Sequence, residues 1–450
     1  MRRLLDHYLT IWQQDPARTS LLIRGARQVG KTFTVRKFAE AFTNLVEVNF
    51  ERNPDLATLF DRDLDPGRIS RDLALALGVR IEPGKTLLFL DEIQQAPRAL
   101  TALRYFHEDL PSLHVIAAGS LVEFAVEEIG LPVGRVNSLY MYPMSFLEFL
   151  NAKGQSPAVS ELAAHSADVA IAGAVHDRLM REVGEYLAVG GMPEAVQEWV
   201  DHGDLSRCAQ VQRRLAETYR QDFAKYSRKN QIKYVDLLFN EVPRLLGRKF
   251  VFSHVAGNRR RRDLQPALEL LAKAGVVHPV FHTAATGLPL GAEADPDRFK
   301  VIFMDVGLAE SILGLDGATW ILDPTATFAN AGQLAEAFVG QELIAYGQPH
   351  AAPRLYYWHR EARSSNAEVD YLHPAAAKIV PVEVKRGTGG WLRSLRLFLE
   401  SRPAVSPYGV RFSPHNFSVM PDLQSYPLYA VGSFAAENDP QVREAIQSLV

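Results

Sequence analysis

The feature that most constrains this chain is the segment GARQVGKT at residues 25–32, in which two glycines separated by four residues precede a lysine and a threonine. Residues 21–23 are apolar, as in a buried strand, and residues 33–42 continue with the apolar spacing of a helix. A strand, a glycine-rich loop and a helix in this order form a phosphate-binding loop, whose backbone N–H groups surround phosphate oxygens. An accidental glycine-rich turn would not need both flanking elements. The segment therefore predicts a nucleotide site.

Separate roles are expected for the residues of this loop. Lys31 would reach the β- and γ-phosphate oxygens, and the hydroxyl of Thr32 would hold Mg²⁺. The expected cofactors are therefore ATP and Mg²⁺. The residues expected to contact the nucleotide here are Gly25, Ala26, Arg27, Gln28, Val29, Gly30, Lys31 and Thr32.

A second pattern follows downstream, where the apolar run TLLFL at residues 86–90 ends in Asp91 and Glu92. A continuous apolar run is typical of a buried parallel strand, and ligand sites lie at the carboxyl ends of such strands. Asp91 would bind the magnesium shell, and Glu92 would orient or deprotonate the attacking water. The alternative is a core strand that ends in two solvated carboxylates. Combined with the upstream loop, the pair predicts ATP hydrolysis.

Two further residues are candidates for this site. Ser120 follows another apolar run, residues 114–118, and either senses the γ-phosphate by hydrogen bonding or is an ordinary turn serine. Arg135 precedes a further strand-like segment, where an arginine finger would lie in a ring or dimer of ATPases; the alternative is a surface or structural arginine. A finger that acts on a neighbouring chain would imply a homo-oligomer.

Composition limits the possible classes of protein. The chain has 450 residues, which is too long for one ordinary domain, and a formal net charge of −3, which gives no global sign of a nucleic-acid or membrane binder. The single cysteine, Cys208, excludes an intramolecular disulfide and a cysteine-cluster metal site. No apolar segment reaches the roughly 20 residues that span a bilayer. We expect a cytoplasmic protein with no membrane partner.

Residues 234–315 have the order of a winged helix, with three short helices followed by strand-like runs at 276–282 and 299–304. The run Arg259-Arg260-Arg261-Arg262 precedes the third helix. Four adjacent arginines could neutralise phosphates of DNA or RNA, although such a run is also typical of a solvated face. Contact with a protein is the alternative use of this module.

Carboxylates and a lysine recur near the end of the chain. Because side chains alternate along a strand, Glu383 and Lys385 share one face, and a hairpin near residues 374–377 would bring Asp370 diagonally across from Glu383. Asp370 and Glu383 would then bind a divalent cation, while Lys385 would stabilise charge on a scissile phosphate or help activate a metal-bound water. Surface salt bridges among Glu383, Lys385 and Arg386 are the alternative. Pro381 favours an edge strand or a strand start, since it lacks an N–H group.

Taken as a set, the segments GARQVGKT, LLFLDEIQ, AAGSL, GRVNSLYMYPMSFLEFL and YLAVGGMPEAV resemble bacterial and archaeal AAA-type ATPases of the clade related to origin-recognition and STAND proteins. The resemblance covers most of the chain and implies an α/β fold with a RecA-like core at residues 1–150 and a helical lid at 151–233. Ser120 stands where origin-recognition relatives more often have asparagine.

The C-terminal pattern resembles the PD-(D/E)XK restriction-endonuclease fold, which we expect at residues 316–450. It consists of a helix carboxylate (Glu336 or Glu342), Asp370, and the Glu383-Val384-Lys385 segment, with valine in place of the proline before Asp370. These resemblances imply an ATP-hydrolysing AAA-type protein whose nucleotide state controls a DNA-associated winged helix and a nuclease-like domain. The alternative is a nucleotide-dependent switch or scaffold whose C-terminal domain is catalytically inactive.

Overall fold

The computed structural model describes residues 1–130, 134–226, 231–255, 259–315, 317–324, 332–360, 366–385 and 392–450. The chain divides into two compact units. The first unit consists of Arg3–Tyr142 and Gln348–Ala352, and the second of Met1–Arg2, Pro143–Gly347 and Pro353–Val450. Among the described residues, none of the helices has the length and apolarity that crossing a membrane requires.

Helices and strands alternate in the first unit. In chain order they are α1 (Leu4–Gln14), β1 (Ser20–Arg24), α2 (Lys31–Phe38), β2 (Asn44–Asn49), α3 (Pro66–Leu77), β3 (Thr86–Asp91), α4 (Pro97–Asp109), β4 (His114–Ala118), α5 (Val122–Ile129) and β5 (Val136–Tyr140). The strands form one parallel sheet in the order β2-β3-β4-β1-β5. The apolar runs of β1 and β3 are buried along their whole length, as expected when helices cover both faces of a parallel sheet.

The order of these strands determines where the site can form. β1 and β3 lie on either side of β4 and run in the same direction. Their carboxyl ends therefore meet at one edge of the sheet, which is where open α/β sheets bind ligands. The loop at residues 25–30 follows β1 and Glu92 follows β3, so the two sequence patterns reach the same edge.

Helix α3 illustrates how local sequence determines the boundaries of an element. The Asp65 carboxylate accepts a hydrogen bond from the backbone N–H of Gly67 at 3.0 Å, and Pro66 occupies the first helical position. Gly78 ends the helix in the left-handed conformation. Ile69, on the buried face of α3, packs into the core of the first unit.

The second unit begins with helices and continues with a mixture of strands and helices. Its helices are α6 (Phe146–Ala152), α7 (Ser156–Ala164), α8 (Gly173–Val189), α9 (Pro193–His202), α10 (Leu205–Tyr226), α11 (Ile232–Glu241), α12 (Arg261–Lys273), α13 (Val306–Leu313), α14 (Ala318–Leu322), α15 (Gly332–Ala345), α16 (Arg393–Ser401), α17 (Val431–Asn438) and α18 (Pro440–Gln447). Its strands are β6 (Val277–Thr283), β7 (Ala294–Phe303), β8 (Leu355–Arg360), β9 (Ala367–Ala375), β10 (Lys378–Val384), β11 (Gly409–Ser413), β12 (Ser418–Met420) and β13 (Leu423–Pro427).

All of these strands join one mixed sheet in the order β12-β13-β11-β10-β9-β8-β6-β7. The pairs β6–β8, β10–β11 and β11–β13 are parallel, and the other neighbouring pairs are antiparallel. Strands β6 and β7 precede residue 315, whereas the rest follow it. A separate winged helix is therefore not shown, and the expected boundaries at residues 150, 233 and 315 stay predictions.

The expectation about Pro381 was wrong. Its strand, β10, lies between β9 and β11 and is not an edge strand. Pairing with β11 begins only at Val382, however, so the missing N–H of Pro381 falls before the parallel ladder starts. A proline is tolerated where no ladder hydrogen bond is needed.

The double glycine in YLAVGGMPEAV has a structural cause in the second unit. Gly190 adopts φ 77°, and a Cβ atom there would overlap the carboxylate of Asp305. That carboxylate accepts hydrogen bonds from the backbone N–H groups of Gly191 at 2.5 Å and Leu308 at 2.8 Å, the second of which caps α13. Burial raises the pKa of Asp305 to about 6, although the backbone N–H groups oppose the shift. Close packing against a buried acid therefore requires glycine here.

Replacing Gly190 tests this packing, and Gly203 offers a matched control. Both residues follow a helix with positive φ, but a Cβ atom at Gly203 would meet nothing within 4 Å. We expect Gly203→Ala to lower the free energy of unfolding by about 1 kcal/mol, the ordinary cost of positive φ. Gly190→Ala should cost at least about 2 kcal/mol more, because Gly190 has ψ −179°, a backbone region that almost only glycine adopts, and because the new Cβ atom displaces the Asp305 carboxylate. Urea denaturation measures both, and equal costs would contradict the account.

Candidate nucleotide site

The loop between β1 and α2 has the backbone conformation that its glycines permit. Gly25 adopts φ 142°, and a Cβ atom there would overlap the backbone oxygen of Met141. Gly30 adopts φ 102° and immediately precedes the first residue of α2, Lys31. The backbone is thus arranged around the N-terminus of a helix, where N–H groups and the helix dipole favour an anion.

Lys31 lies inside this loop with only 7% of its surface exposed. Its ammonium donates hydrogen bonds to the backbone oxygens of Gly25 at 2.9 Å and Ala26 at 2.7 Å. Burial lowers the pKa of Lys31 to about 8, even though the nearby carboxylates of Glu92 and Asp91 oppose the shift. A buried ammonium whose hydrogen bonds go to neutral carbonyls would be stabilised further by phosphate oxygens.

Thr32 and Asp91, the two expected magnesium ligands, lie together. The Thr32 hydroxyl donates to Asp91 Oδ2 at 3.1 Å. Asn49, at the end of β2, donates to the same oxygen at 3.0 Å. Burial and the neighbouring Glu92 raise the pKa of Asp91, whereas the bonds from Thr32 and Asn49 oppose the shift. A hydroxyl and a carboxylate are the donor set that Mg²⁺ takes beside a nucleotide.

The residues expected to act on the γ-phosphate lie at the ends of β3 and β4. Gln94 Nε2 donates to Glu92 Oε2 at 2.5 Å. Ser120 follows β4, and its buried hydroxyl has no hydrogen-bond partner among the described residues. Gln94 approaches the same turn closely, because its amide oxygen lies where a Cβ atom of Gly119 would be. A buried hydroxyl without a partner is costly, and a bound ligand would satisfy it.

Arg135 lies at the opposite edge of the sheet from the loop. Strand β5 runs parallel to β1 with Val136 beside Ser20, so Arg135 precedes the strand at its amino end. Its Nε donates to Glu108 Oε1 at 2.8 Å, and nearly half of the side chain, 48%, is exposed. Arg135 therefore lies at the end of the sheet away from the loop at residues 25–30. A role as a finger toward a neighbouring chain stays a prediction.

Sequence reasoning missed one arginine that contacts the loop and another at the end of β1. Arg3 is buried and donates to the backbone oxygens of Val29 and Tyr142, each at 2.7 Å. Arg24, at the end of β1, forms an ion pair with Glu123. No motif singles out Arg3, since it lies more than twenty residues before the loop. Asn49 had a weak signal, because it is a polar residue at the end of a strand-like segment.

The carboxylates of the C-terminal pattern also come together. The β9–β10 ladder ends with Val382 opposite Tyr371, and Asp370 and Glu383 are the next residues of the two strands. Asp370 Oδ2 accepts the backbone N–H of Val384 at 2.8 Å, and Glu383 forms an ion pair with Lys385. Arg386 lies outside the described residues.

A lysine that sequence reasoning overlooked lies beside Asp370. Lys300 on β7 donates to Glu336 Oε1 at 2.9 Å and pairs with Glu368. Glu342, the alternative helix carboxylate, instead accepts the backbone N–H of Phe146 and takes no part in this group. Within the described ranges, no set of three or more histidine, cysteine, aspartate or glutamate side chains is arranged to hold a metal ion.

The four arginines at residues 259–262 are exposed at the N-terminus of α12. Arg261 pairs with Asp297, and Arg262 lies 3.9 Å from the carboxylate of Asp263. Two of the four charges are therefore partly neutralised by neighbouring acids. The remaining pair, Arg259 and Arg260, is the better candidate for contact with a polyanion.

Comparisons with known proteins agree with the geometry of the first unit. A family model described as an AAA domain matches residues 17–150, and two domains of unknown function, DUF8612 and DUF4143, match residues 180–319 and 331–430. No curated protein matches the chain. The parallel sheet of the first unit therefore matches a P-loop ATPase fold, and the AAA domain model covers most of that unit.

The chain is also similar to archaeal solved structures. One is a Walker-type ATPase of Pyrococcus abyssi, with a TM-score of 0.42 and 16% identity over 69% of this chain and 94% of that chain. The ORC2 protein of Aeropyrum pernix, in ADPNP–ADP complexes, has a TM-score of 0.31 and 13% identity over 72% and 93%. The ORC1 protein of the same organism, in complex with DNA, has a TM-score of 0.26 and 14% identity over 69% and 91%.

The lowered pKa of Lys31 makes nucleotide binding depend on protons. At pH 8.5 a lysine with a pKa of about 8 is mostly neutral, and a bound triphosphate favours its charged form. We expect MgATP binding at pH 8.5 to take up roughly 0.7 proton, and binding at pH 6.5 to take up almost none through this group. Calorimetry in buffers of different ionisation enthalpy measures the uptake. Identical heats in all buffers at pH 8.5 would contradict the role of Lys31.

Proposed function

We propose that the first unit binds MgATP between the carboxyl ends of β1 and β3 and hydrolyses it. The observation that carries this proposal is the meeting of Lys31, Thr32 and Asp91 at one edge of the parallel sheet, with Thr32 and Asp91 hydrogen-bonded at 3.1 Å. The buried hydroxyl of Ser120 at the same edge, which has no hydrogen-bond partner within the part of the chain that the structure describes, supports it. A structural role alone would not require a buried ammonium inside a glycine-rich loop.

Each residue would have a separate task. The backbone N–H groups of residues 25–32 would hold the phosphates, and Lys31 would leave the carbonyls of the loop to bind phosphate oxygens. Thr32 and Asp91 would hold Mg²⁺, which neutralises charge on the phosphates when it is bound. Glu92 would orient the attacking water and accept its proton, while Gln94 holds the carboxylate of Glu92 in position.

Two substitutions separate binding from hydrolysis. Glu92→Gln should keep MgATP binding but lower kcat by about 10²- to 10⁴-fold, because the amide cannot accept the proton of water. Lys31→Ala should abolish both binding and hydrolysis. Phosphate release and equilibrium binding should be measured on each variant.

The control for Glu92→Gln is Glu40→Gln, which makes the same chemical change at an exposed position after α2. It should leave both measurements unchanged. A Glu92→Gln variant that hydrolyses ATP at the rate of the unaltered protein would remove Glu92 from the mechanism.

We also propose that nucleotide state alters the contacts of this protein, as in a switch or scaffold. The exposed guanidinium of Arg135 would act on the nucleotide of a neighbouring chain after leaving Glu108, so that ATP favours a homo-oligomer. The competing hypothesis is that nucleotide controls a nuclease formed by Asp370, Glu383 and Lys385. The ammonium of Lys300 beside Asp370 favours the switch, because it already supplies a positive charge to the Asp370 carboxylate.

A nucleic acid is the partner that we propose for the second unit. The exposed arginines at the N-terminus of α12 support it, since their side-chain charges add to the positive end of the helix dipole. DNA is the form to test first, and RNA is the alternative ligand with the same phosphate chemistry.

Salt dependence tests this contact. Replacing Arg259 and Arg260 by alanine should weaken binding to duplex DNA and reduce the slope of log K against log salt by about 2, as two phosphate contacts are lost. The control is the double alanine replacement of Arg213 and Arg214, adjacent exposed arginines on α10. Fluorescence anisotropy measures both. Equal losses in the two variants would point to net charge alone and contradict a specific contact.

A further inference from the structure

The second unit encloses one lysine among three carboxylates. Lys300 is only 2% exposed, and its Nζ lies 2.9 Å from Glu336 Oε1, in an ion pair with Glu368, and 3.8 Å from Asp370 Oδ1. The ring of Tyr357 flanks the same ammonium, with its centroid 5.2 Å away. We call Lys300, Glu336, Glu368 and Asp370 the buried charge cluster. Its members come from β7, α15 and β9, so folding of the sheet brings them together.

The cluster is electrostatically satisfied by its own lysine. Burial alone lowers the pKa of Lys300, but the carboxylates of Glu336, Asp370 and Glu368 outweigh burial and raise it above its ordinary value. Burial and the neighbouring Asp370 raise the pKa of Glu336, whereas the ammonium of Lys300 opposes that shift. The ammonium itself stays charged. Such groups need one another, because a buried charge without a partner is strongly destabilising.

The ammonium of Lys300 lies where the carboxylates of Glu336, Glu368 and Asp370 converge. A divalent cation would need the same oxygens, and two cations within about 4 Å of each other repel strongly inside a protein. Both carboxylate oxygens of Asp370 already have partners, since Oδ2 accepts the backbone N–H of Val384 and Oδ1 faces Lys300. On the neighbouring strand, Glu383 Oε1 pairs with Lys385, and only Oε2 lacks a partner among the described residues. Mg²⁺ in proteins is held by one or two carboxylates together with substrate phosphates, so this single oxygen would hold the ion only weakly without a phosphate ligand.

We propose that Lys300 is an internal cation that takes the place of a divalent metal in the second unit. The cluster then holds β7, α15 and β9 together without metal, and Asp370 binds no Mg²⁺ or Mn²⁺ in the unaltered protein. In the unaltered protein these carboxylates are not arranged to hold a metal ion, and Asp370 Oδ1 lies 3.8 Å from the ammonium. Removing the ammonium while keeping its apolar stem, as in Lys300→Met, would leave Glu336, Glu368 and Asp370 without their cation and let Asp370 move inward, so that the three form a divalent-cation site. This proposal does not rest on ATP binding, since every residue it uses lies in the second unit.

Mn²⁺ binding to the nucleotide-free full chain tests this proposal, with free Mn²⁺ measured by electron paramagnetic resonance at pH 8. The unaltered protein and Asp370→Asn should bind the same amount of Mn²⁺, since Asp370 takes no metal in either. Lys300→Met should bind one additional Mn²⁺ per chain, at least tenfold more tightly than the unaltered second unit. The double variant Lys300→Met with Asp370→Asn should lose that additional ion. Asparagine at position 370 can still accept the N–H of Val384, so it is a mild change.

Two results would overturn the proposal. The first is Mn²⁺ bound by the unaltered protein that Asp370→Asn removes, which would mean that Lys300 coexists with a metal. The second is a folded Lys300→Met variant, judged by circular dichroism, that gains no ion. If Lys300→Met does not fold, the amounts of Mn²⁺ bound by the unaltered protein and by Asp370→Asn are sufficient to test the proposal. ATP binding measured on the same samples separates these outcomes from any failure of the first unit.

Discussion

The nucleotide site depends on one contact, the hydrogen bond from Thr32 to Asp91 across the carboxyl edge of the parallel sheet. The two residues lie 59 positions apart in the chain, at 3.1 Å between Oγ1 and Oδ2. They meet only because β1 and β3 run parallel on either side of β4. Parallel strands put their carboxyl ends, and the loops that follow them, at one edge. Burial of the apolar side chains of β1 and β3 fixes the two strands in this sheet. The position of the reactive side chains therefore depends on apolar residues that do not themselves contact the nucleotide.

Two buried lysines, Lys31 and Lys300, have different roles because their surroundings differ in charge. Lys31 contacts backbone carbonyls, and burial lowers its pKa to about 8, so its charge is poorly compensated until an anion arrives. Lys300 contacts three carboxylates, which raise its pKa, so its charge is already compensated by the protein. The first arrangement favours a ligand, whereas the second favours a fixed structure. The local charge balance of each lysine therefore separates a binding site from a structural cluster.

The sequence predicted the first unit well, because its signals are local. A glycine-rich loop between a strand and a helix, and two carboxylates after an apolar run, each lie within about ten residues, and the parallel sheet brings Thr32 and Asp91 together as expected. The second unit was predicted less well. The pairing of β6 with β8 and the contact of Lys300 with Asp370 join residues 70 or more positions apart. The choice between Glu336 and Glu342 likewise depended on which face of α15 meets the sheet. No sequence pattern around Arg3 indicated that its side chain contacts the loop at residues 25–30.

The most direct test of the central claim is the stoichiometry of nucleotide binding. Equilibrium dialysis of the folded chain against labelled ATP with excess Mg²⁺ should find one ATP bound per chain at saturation, and omission of Mg²⁺ should weaken binding, because Thr32 and Asp91 would then have no ion to share with the phosphates. Well-folded protein that retains no ATP at millimolar nucleotide would contradict the assignment of the edge between β1 and β3 as a nucleotide site.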